Sequence, residues 1–216
     1  NSIAMIIEKE LANKRPQAVR TGKIPLRTAA DRFVTCSLWL SNNSLTSMFG
    51  FENLAQKLLD DPSHLSWLDL SFNEIEQIAD DITHFPNLKI FYLHGNNISD
   101  INDVVKLKKL STLKSLTLHG NPIENLPYYR GYIVHILPQL TTLDFSAVLS
   151  TERKKAAPAG FYKIIYGIVR LRNNPRLVIE DSRSARINPR LDVNGLINRG
   201  KKRPRIILQI EYNLFT

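Results

Sequence analysis

The stretch Leu65-Ser66-Trp67-Leu68-Asp69-Leu70-Ser71-Phe72-Asn73-Glu74-Ile75 constrains this chain more than any other, because its spacing of apolar residues about one asparagine keeps returning. The same spacing recurs as Leu88, Phe91, Leu93, Asn96 and Ile98, and again as Leu113, Leu116, Leu118, Asn121 and Ile123. An earlier copy, with threonine at its first position, runs Thr35, Leu38, Leu40, Asn43, Leu45. A last copy, Leu140, Leu143, Phe145, Val148, lacks the asparagine. Successive slots lie 30, 23, 25 and 27 residues apart, close to the roughly 20–29 residues of one leucine-rich repeat.

Each slot has a physical task. Leu68 and Leu70 are two residues apart, so in a short strand they point together into a core while Trp67, Asp69 and Ser71 face the other way. The Asn73 amide is placed to pair with backbone groups where the chain leaves the strand. One such unit cannot bury its own apolar face, so copies must stack. The spacing therefore predicts an α/β leucine-rich repeat solenoid with a parallel sheet on its concave side and short helices or 3-10 turns on its convex side. Helical spacing at Phe51, Leu54, Ala55, Leu58 and Leu59, stopped by Asp60-Asp61-Pro62, marks one convex segment. Steps of three or four through Ile75–Leu88 and Ile98–Leu113 mark two more. After Asn121-Pro122 a longer helical run, with Tyr129, Tyr132, Ile133 and Ile136 on one side, suits a lid on the last repeat.

Charge divides the chain in three. Residues 1–34 hold seven Lys/Arg against three Asp/Glu, a net +4; residues 35–150 hold seven against twelve, a net −5; residues 151–216 hold fifteen against five, a net +10. The expected organisation is a basic leader at 1–34 packing on the first repeat, a solenoid with its cap at 35–155, and a basic extension at 156–216 formed by a helix followed by extended or hairpin segments. In that extension Phe161–Arg172 has amphipathic spacing, Asn194-Gly195 marks a hairpin turn, and Arg205–Tyr212 reads as a strand. The one cysteine, Cys36, has no partner for an internal disulfide, and no apolar run approaches the roughly 20 residues that span a bilayer. The expectation is a soluble intracellular protein that does not enter membranes.

A resemblance sharpens this. Asn121-Pro122, Tyr129-Arg130, Leu137-Pro138-Gln139-Leu140, Leu143-Asp144 and Glu152-Arg153 are similar to the cap shared by small intracellular leucine-rich repeat proteins. That group includes the spliceosomal A-prime protein, a regulatory subunit of protein phosphatase 1 and several ciliary proteins. More specifically, Ser37-Leu38-Trp39-Leu40-Ser41-Asn42-Asn43, Trp67 to Asn73, Tyr92-Leu93-His94-Gly95-Asn96 and Ser115 to Pro122 resemble the leucine-rich repeat-containing protein 51 family, over residues 2 to about 155. The leader, Arg20-Thr21-Gly22 before Pro25-Leu26, resembles it too. The resemblance implies no enzymatic activity, no cofactor and an association with motile cilia. It stops at Pro158.

Together these readings give a non-enzymatic scaffold of the ciliary or flagellar axoneme, part of a large cytoskeletal assembly in the cytoplasm. Tubulin or other axonemal proteins are its expected partners, and nucleic acid is disfavoured. The alternatives are a nuclear ribonucleoprotein adaptor and a phosphatase-regulating subunit. Outward positions of the strands make three columns: Ser37, Trp67, Ile90, Ser115, Thr142; then Trp39, Asp69, Tyr92, Thr117, Asp144; then Ser41, Ser71, His94, His119, Ser146. The expected partner-binding residues are Trp39, Trp67, Asp69, Ile90, Tyr92, His94 and His119, to be covered by a partner or by the chain's own arm. His94 and His119 sit side by side but lack the third ligand that zinc needs. Asp69 and Asp144, roughly 14 Å apart at sheet spacing, are too far apart to act as a carboxylate pair. Gly195–Lys201 mimics a phosphate loop, yet Lys202 stands where Ser or Thr would hold magnesium and Pro204 opposes a following helix. Lys201, Lys202, Arg203 and Arg205 are the expected basic-arm contacts with an acidic surface.

Overall fold

A computed structural model describes residues 25–158 and Phe161. Most of the leader, the helix, hairpin and strand expected beyond Pro158, the phosphate-loop mimic and the basic run at Lys201–Arg205 lie outside the described residues.

Four short strands, β1 (Ser37–Trp39), β2 (Trp67–Asp69), β3 (Ile90–Tyr92) and β4 (Ser115–Thr117), are joined in chain order as a parallel sheet. The pairing is in the register of the repeat: Leu38, Leu68, Phe91 and Leu116 stand opposite one another, all fully buried. Two residues on, Leu40, Leu70, Leu93 and Leu118 make a second buried row. Burying each such side chain stabilises by about 1.5–3 kcal/mol, so the two rows alone supply a large favourable term. That term exists only if the repeats stack.

Asparagine closes each turn. Asn73 donates through Nδ2 to the carbonyls of Leu40 (2.8 Å) and Leu70 (2.9 Å), and its Oδ1 accepts from the N–H groups of Asn43 (2.9 Å) and Leu45 (3.1 Å). Asn96 repeats this with Leu70 and Leu93 as acceptors and Ile75 as donor, and Asn121 with Leu93, Leu118 and Ile98. All three are buried, and each satisfies backbone groups of its own repeat and of the one before.

The convex segments pack behind the sheet. Helix α1 (Phe51–Leu58) turns Phe51, Leu54, Ala55 and Leu58 inward, as their spacing demands, and the Phe51 ring meets Phe85 edge-on at 5.2 Å. The next repeat uses a 3-10 turn at Asp80–His84, and the third uses α2 (Ile101–Lys106) running into a 3-10 turn at Leu107–Lys109. On the N-terminal side Phe33 is buried, bridges in parallel to Leu59 and in antiparallel fashion to Arg27, and lies under the Arg27 guanidinium at 4.2 Å. The Phe33 N–H donates to the Leu58 carbonyl and the Asp60 N–H to that of Phe33, which ties this segment to the end of α1.

The far end departs from expectation. Strand β5 (Thr142–Leu143) pairs in parallel with β4, but β6 (Ser146–Ala147) folds back antiparallel on β5, so the sheet is not parallel throughout. Phe145 is therefore not a core residue of a fifth repeat: it sits in the two-residue loop of this hairpin and is 59% exposed. The lid is α3 (Tyr129–Ile136) with the short α4 (Ser150–Lys154). Arg130 ties them to the hairpin, donating to both carboxylate oxygens of Glu152 (2.6 and 3.2 Å) and to the carbonyls of Leu143 (3.1 Å) and Ala147 (2.9 Å).

The Arg130 hydrogen bonds, helped by the Leu149 N–H, hold the Glu152 carboxyl down from its ordinary 4.5 to about 2. A depressed folded-state value adds stability that is present above the unfolded value and is lost as pH falls through the folded one. Acid titration from about pH 4.5 to 2 is therefore expected to loosen the lid, with Glu152→Gln flattening that part of a stability-against-pH curve. An unchanged curve in the variant would contradict the assignment.

Candidate partner-binding face

The observed register puts Ser37, Trp67, Ile90, Ser115 and Thr142 in one line, and Trp39, Asp69, Tyr92 and Thr117 in the next. The third column continues the ladder beyond the strands, through hydrogen bonds from Asn42 to Ser71, Phe72 to His94, and Gly95 to His119. All seven expected partner-binding residues therefore share one face, and five of them, Trp39, Trp67, Tyr92, His94 and His119, are joined by ring contacts.

Their rings touch in sequence. Trp39 and Trp67 lie 5.3 Å apart, Trp67 and Tyr92 5.9 Å, and Tyr92 and His94 6.0 Å, while His94 stacks flat on His119 at 4.8 Å with 6° between the planes. Aromatic contacts of this kind add about 0.5–1.5 kcal/mol each beyond simple burial. Trp39 is only 5% exposed and offers little to a partner, whereas Trp67 remains half-buried. The Trp67 indole N–H is shielded and meets no acceptor among the described residues.

The histidines are anchored through Nδ1. That of His94 meets Thr117 Oγ1 at 2.9 Å, and that of His119 lies 3.4 Å from Asp144 Oδ1. His94 is held below the ordinary imidazole value, chiefly by burial and then by His119, against the opposing pull of Asp69 and Asp144. It is accordingly neutral at physiological pH. Among the described residues no group of three or more His, Cys, Asp or Glu side chains is arranged to hold a metal ion.

Asp144 does not serve as an outward strand residue. Its Oδ1 accepts from the N–H groups of Leu118 (2.6 Å) and His119 (2.9 Å), and its Oδ2 from the Tyr129 hydroxyl (2.9 Å). It stands where a further strand would otherwise supply carbonyls. Burial, then the Asp144 charge, drives the Tyr129 phenol far upward, so it stays a proton donor.

Two residues of this face escape a reading by strand alternation. Phe72 presents its edge to His94 at 4.9 Å, and Phe145 packs on Tyr92 at 5.3 Å and on both His94 and His119 at 5.6 Å. Both have left-handed backbone, φ +52° and +60°. For a bulky residue that conformation costs about 1–2 kcal/mol, the penalty that Gly avoids and Asn or Asp meets more easily. A signal for Phe72 was present in the sequence: the slot just before each repeat asparagine holds Asn42, Phe72, Gly95 and Gly120, and every one has positive φ. The bare Gly95 is also what admits the neighbouring ring, because a Cβ there would lie 2.7 Å from Phe72 Cδ1.

A family model described as "Leucine-rich repeat" matches residues 12–163. Leucine-rich repeat-containing protein 51 of Homo sapiens is 44% identical over 149 residues, 68% of this chain and 76% of that protein. The same protein of Mus musculus is 43% identical over 156 residues, 72% and 79% of the two chains. The chain belongs to the leucine-rich repeat-containing protein 51 family. A more distant relative of this family member, a probable U2 small nuclear ribonucleoprotein A′ of Caenorhabditis elegans, is 41% identical over 95 residues, 44% of this chain and 38% of that one. Among solved structures, the Drosophila melanogaster SNF/U2A′ complex contains a chain that matches with a TM-score of 0.51 and 23% identity, covering 76% of this chain and 96% of that one. At that identity the likeness speaks for the fold alone.

Proposed function

We propose that this chain is a non-enzymatic scaffold of the ciliary axoneme that holds a protein partner on its concave face and lies against doublet microtubules through its basic arms. The observation that carries the interaction reading is the continuous run of rings from Trp39 to His119 along one sheet face. Leucine-rich repeat proteins are in general interaction modules, which agrees with it. The axonemal assignment rests on the likeness to the leucine-rich repeat-containing protein 51 family and the association with motile cilia that comes with it. The arms are supported by charge: a segment of −5 between segments of +4 and +10 suits an acidic surface for the arms. Exposed charges act only within about 8 Å at physiological salt, so the arms must lie directly on that surface.

Microtubule co-sedimentation is the test. Binding is expected to fall with rising salt and to weaken when residues 158–216 are removed. Binding indifferent to both would overturn the role of the arms, and a tagged chain excluded from cilia in ciliated cells would overturn the axonemal assignment. Capture of a protein partner is expected to be lost on Trp67→Ala. The second reading, a nuclear ribonucleoprotein adaptor, is favoured by the 41% identity to the U2 A′ relative and predicts a nuclear chain that recovers with RNA.

A further inference from the structure

Three aromatic residues among the described ones hold left-handed backbone: Phe72, Tyr128 and Phe145. They are also 57%, 70% and 59% exposed, so burial does not repay the strain. The turns at Phe72 and Phe145 require left-handed backbone but not a bulky ring, and strain of that kind clusters where a ligand is met. Tyr128 shows no contact with the ring cluster, but Phe72 and Phe145 both lean on His94, which stacks on His119. The result is a small aromatic platform with two exposed rings standing at its edges.

Two carboxylates, Asp69 and Asp144, act on His94, against one imidazole, His119. Asp144 is consumed by Leu118, His119 and Tyr129. Asp69 uses only Oδ1, which accepts from the Ser71 N–H (2.9 Å) and hydroxyl (2.6 Å), and its Oδ2 meets no donor among the described residues. A purely apolar occupant would bury that oxygen unpaired, and an anionic one would meet like charge. A cation satisfies it. The flat guanidinium stacks on aromatic rings and pairs with a carboxylate at once, which a lysine ammonium does less well.

Resting on the interaction reading above, we propose that Phe72, His94, His119 and Phe145, with Asp69 beside them, form a docking site for an arginine-bearing segment of a partner protein. The arginine lies against the rings and gives its charge to Asp69; Phe72 and Phe145 flank its aliphatic stem.

The test uses the full-length chain and two fluorescent 15-residue amphipathic peptides that differ only in a central arginine or its neutral isostere citrulline. Anisotropy titration is expected to show the arginine peptide binding at least tenfold more tightly. Phe72→Asn and Phe145→Gly should each weaken it at least tenfold without lowering the thermal midpoint, since Asn and Gly suit left-handed backbone. Asp69→Asn should erase the difference between the two peptides. Equal binding of both peptides, binding of neither, or full binding by both phenylalanine variants would overturn the proposal. So would a photo-reactive phenylalanine at position 145 that cross-links, in the free protein, to the chain's own Lys201–Arg205 run. Should Trp67→Ala lose the captured partner while both phenylalanine variants keep it, the scaffold reading stands and this site falls.

Discussion

Asn73→Ala is expected to cost about 3–5 kcal/mol of folding stability, more than any other single asparagine of the ladder. The alanine leaves the buried N–H groups of Asn43 and Leu45 without their acceptor and the carbonyls of Leu40 and Leu70 without their shared donor. An orphaned buried polar group costs about 1–3 kcal/mol, and only part of that is recovered by water entering the gap. Asn96 and Asn121 each accept from a single backbone N–H, Ile75 and Ile98, so Asn96→Ala and Asn121→Ala are expected to cost about 2–3 kcal/mol. Urea unfolding followed by far-UV circular dichroism measures the series, a shift in midpoint at constant slope being the signature of lost stability. Equal losses at the three positions would show that stacking of the leucine rows, and not the asparagine ladder, sets the strength of each turn.

The asparagine ladder, the two leucine rows and the three outward columns were legible because each depends on a period: alternation within a strand and recurrence between repeats. A period survives local variation, so Thr35 and the lost asparagine at Val148 did not hide it. What escaped depends on single dihedral angles. At Asp144-Phe145 both residues are left-handed, φ +51° and +60°, and the chain reverses in a two-residue loop that usually announces itself as Asn-Gly or Asp-Gly. With Phe in place of Gly, the strand alternation instead pointed to a core side chain, and the reversal put it on the opposite, concave side. Phe72 escapes apolar spacing too, and only the turn slot it shares with Asn42, Gly95 and Gly120 marks it. Burial was the third gap: Trp39 and Trp67 occupy adjacent outward columns and read alike in sequence, yet only Trp39 is nearly sealed off.

The second large effect is expected at Asp144, where the end of the solenoid and the aromatic platform are one structure. Its carboxylate receives two backbone N–H groups just after β4 and the Tyr129 hydroxyl of the lid, and its own backbone begins the turn that carries Phe145. Asp144→Ala removes all three acceptances and puts a less tolerant residue at positive φ, a combined loss of about 3–4 kcal/mol. Asp144→Asn keeps an acceptor and the turn preference while giving up the charge, and should lose about 1 kcal/mol. Hydrogen exchange distinguishes a local from a global effect: in Asp144→Ala the Leu118 and His119 amides should lose protection well before those of Leu68 or Leu93, since repeats unfold from an uncapped end. The loss should reach the partner site too, because this turn carries Phe145 onto Tyr92, His94 and His119. If Asp144→Ala leaves Leu118 and His119 protected as in the parent chain, the carboxylate is not what closes the sheet, and Arg130, through the Leu143 and Ala147 carbonyls, must hold the hairpin alone.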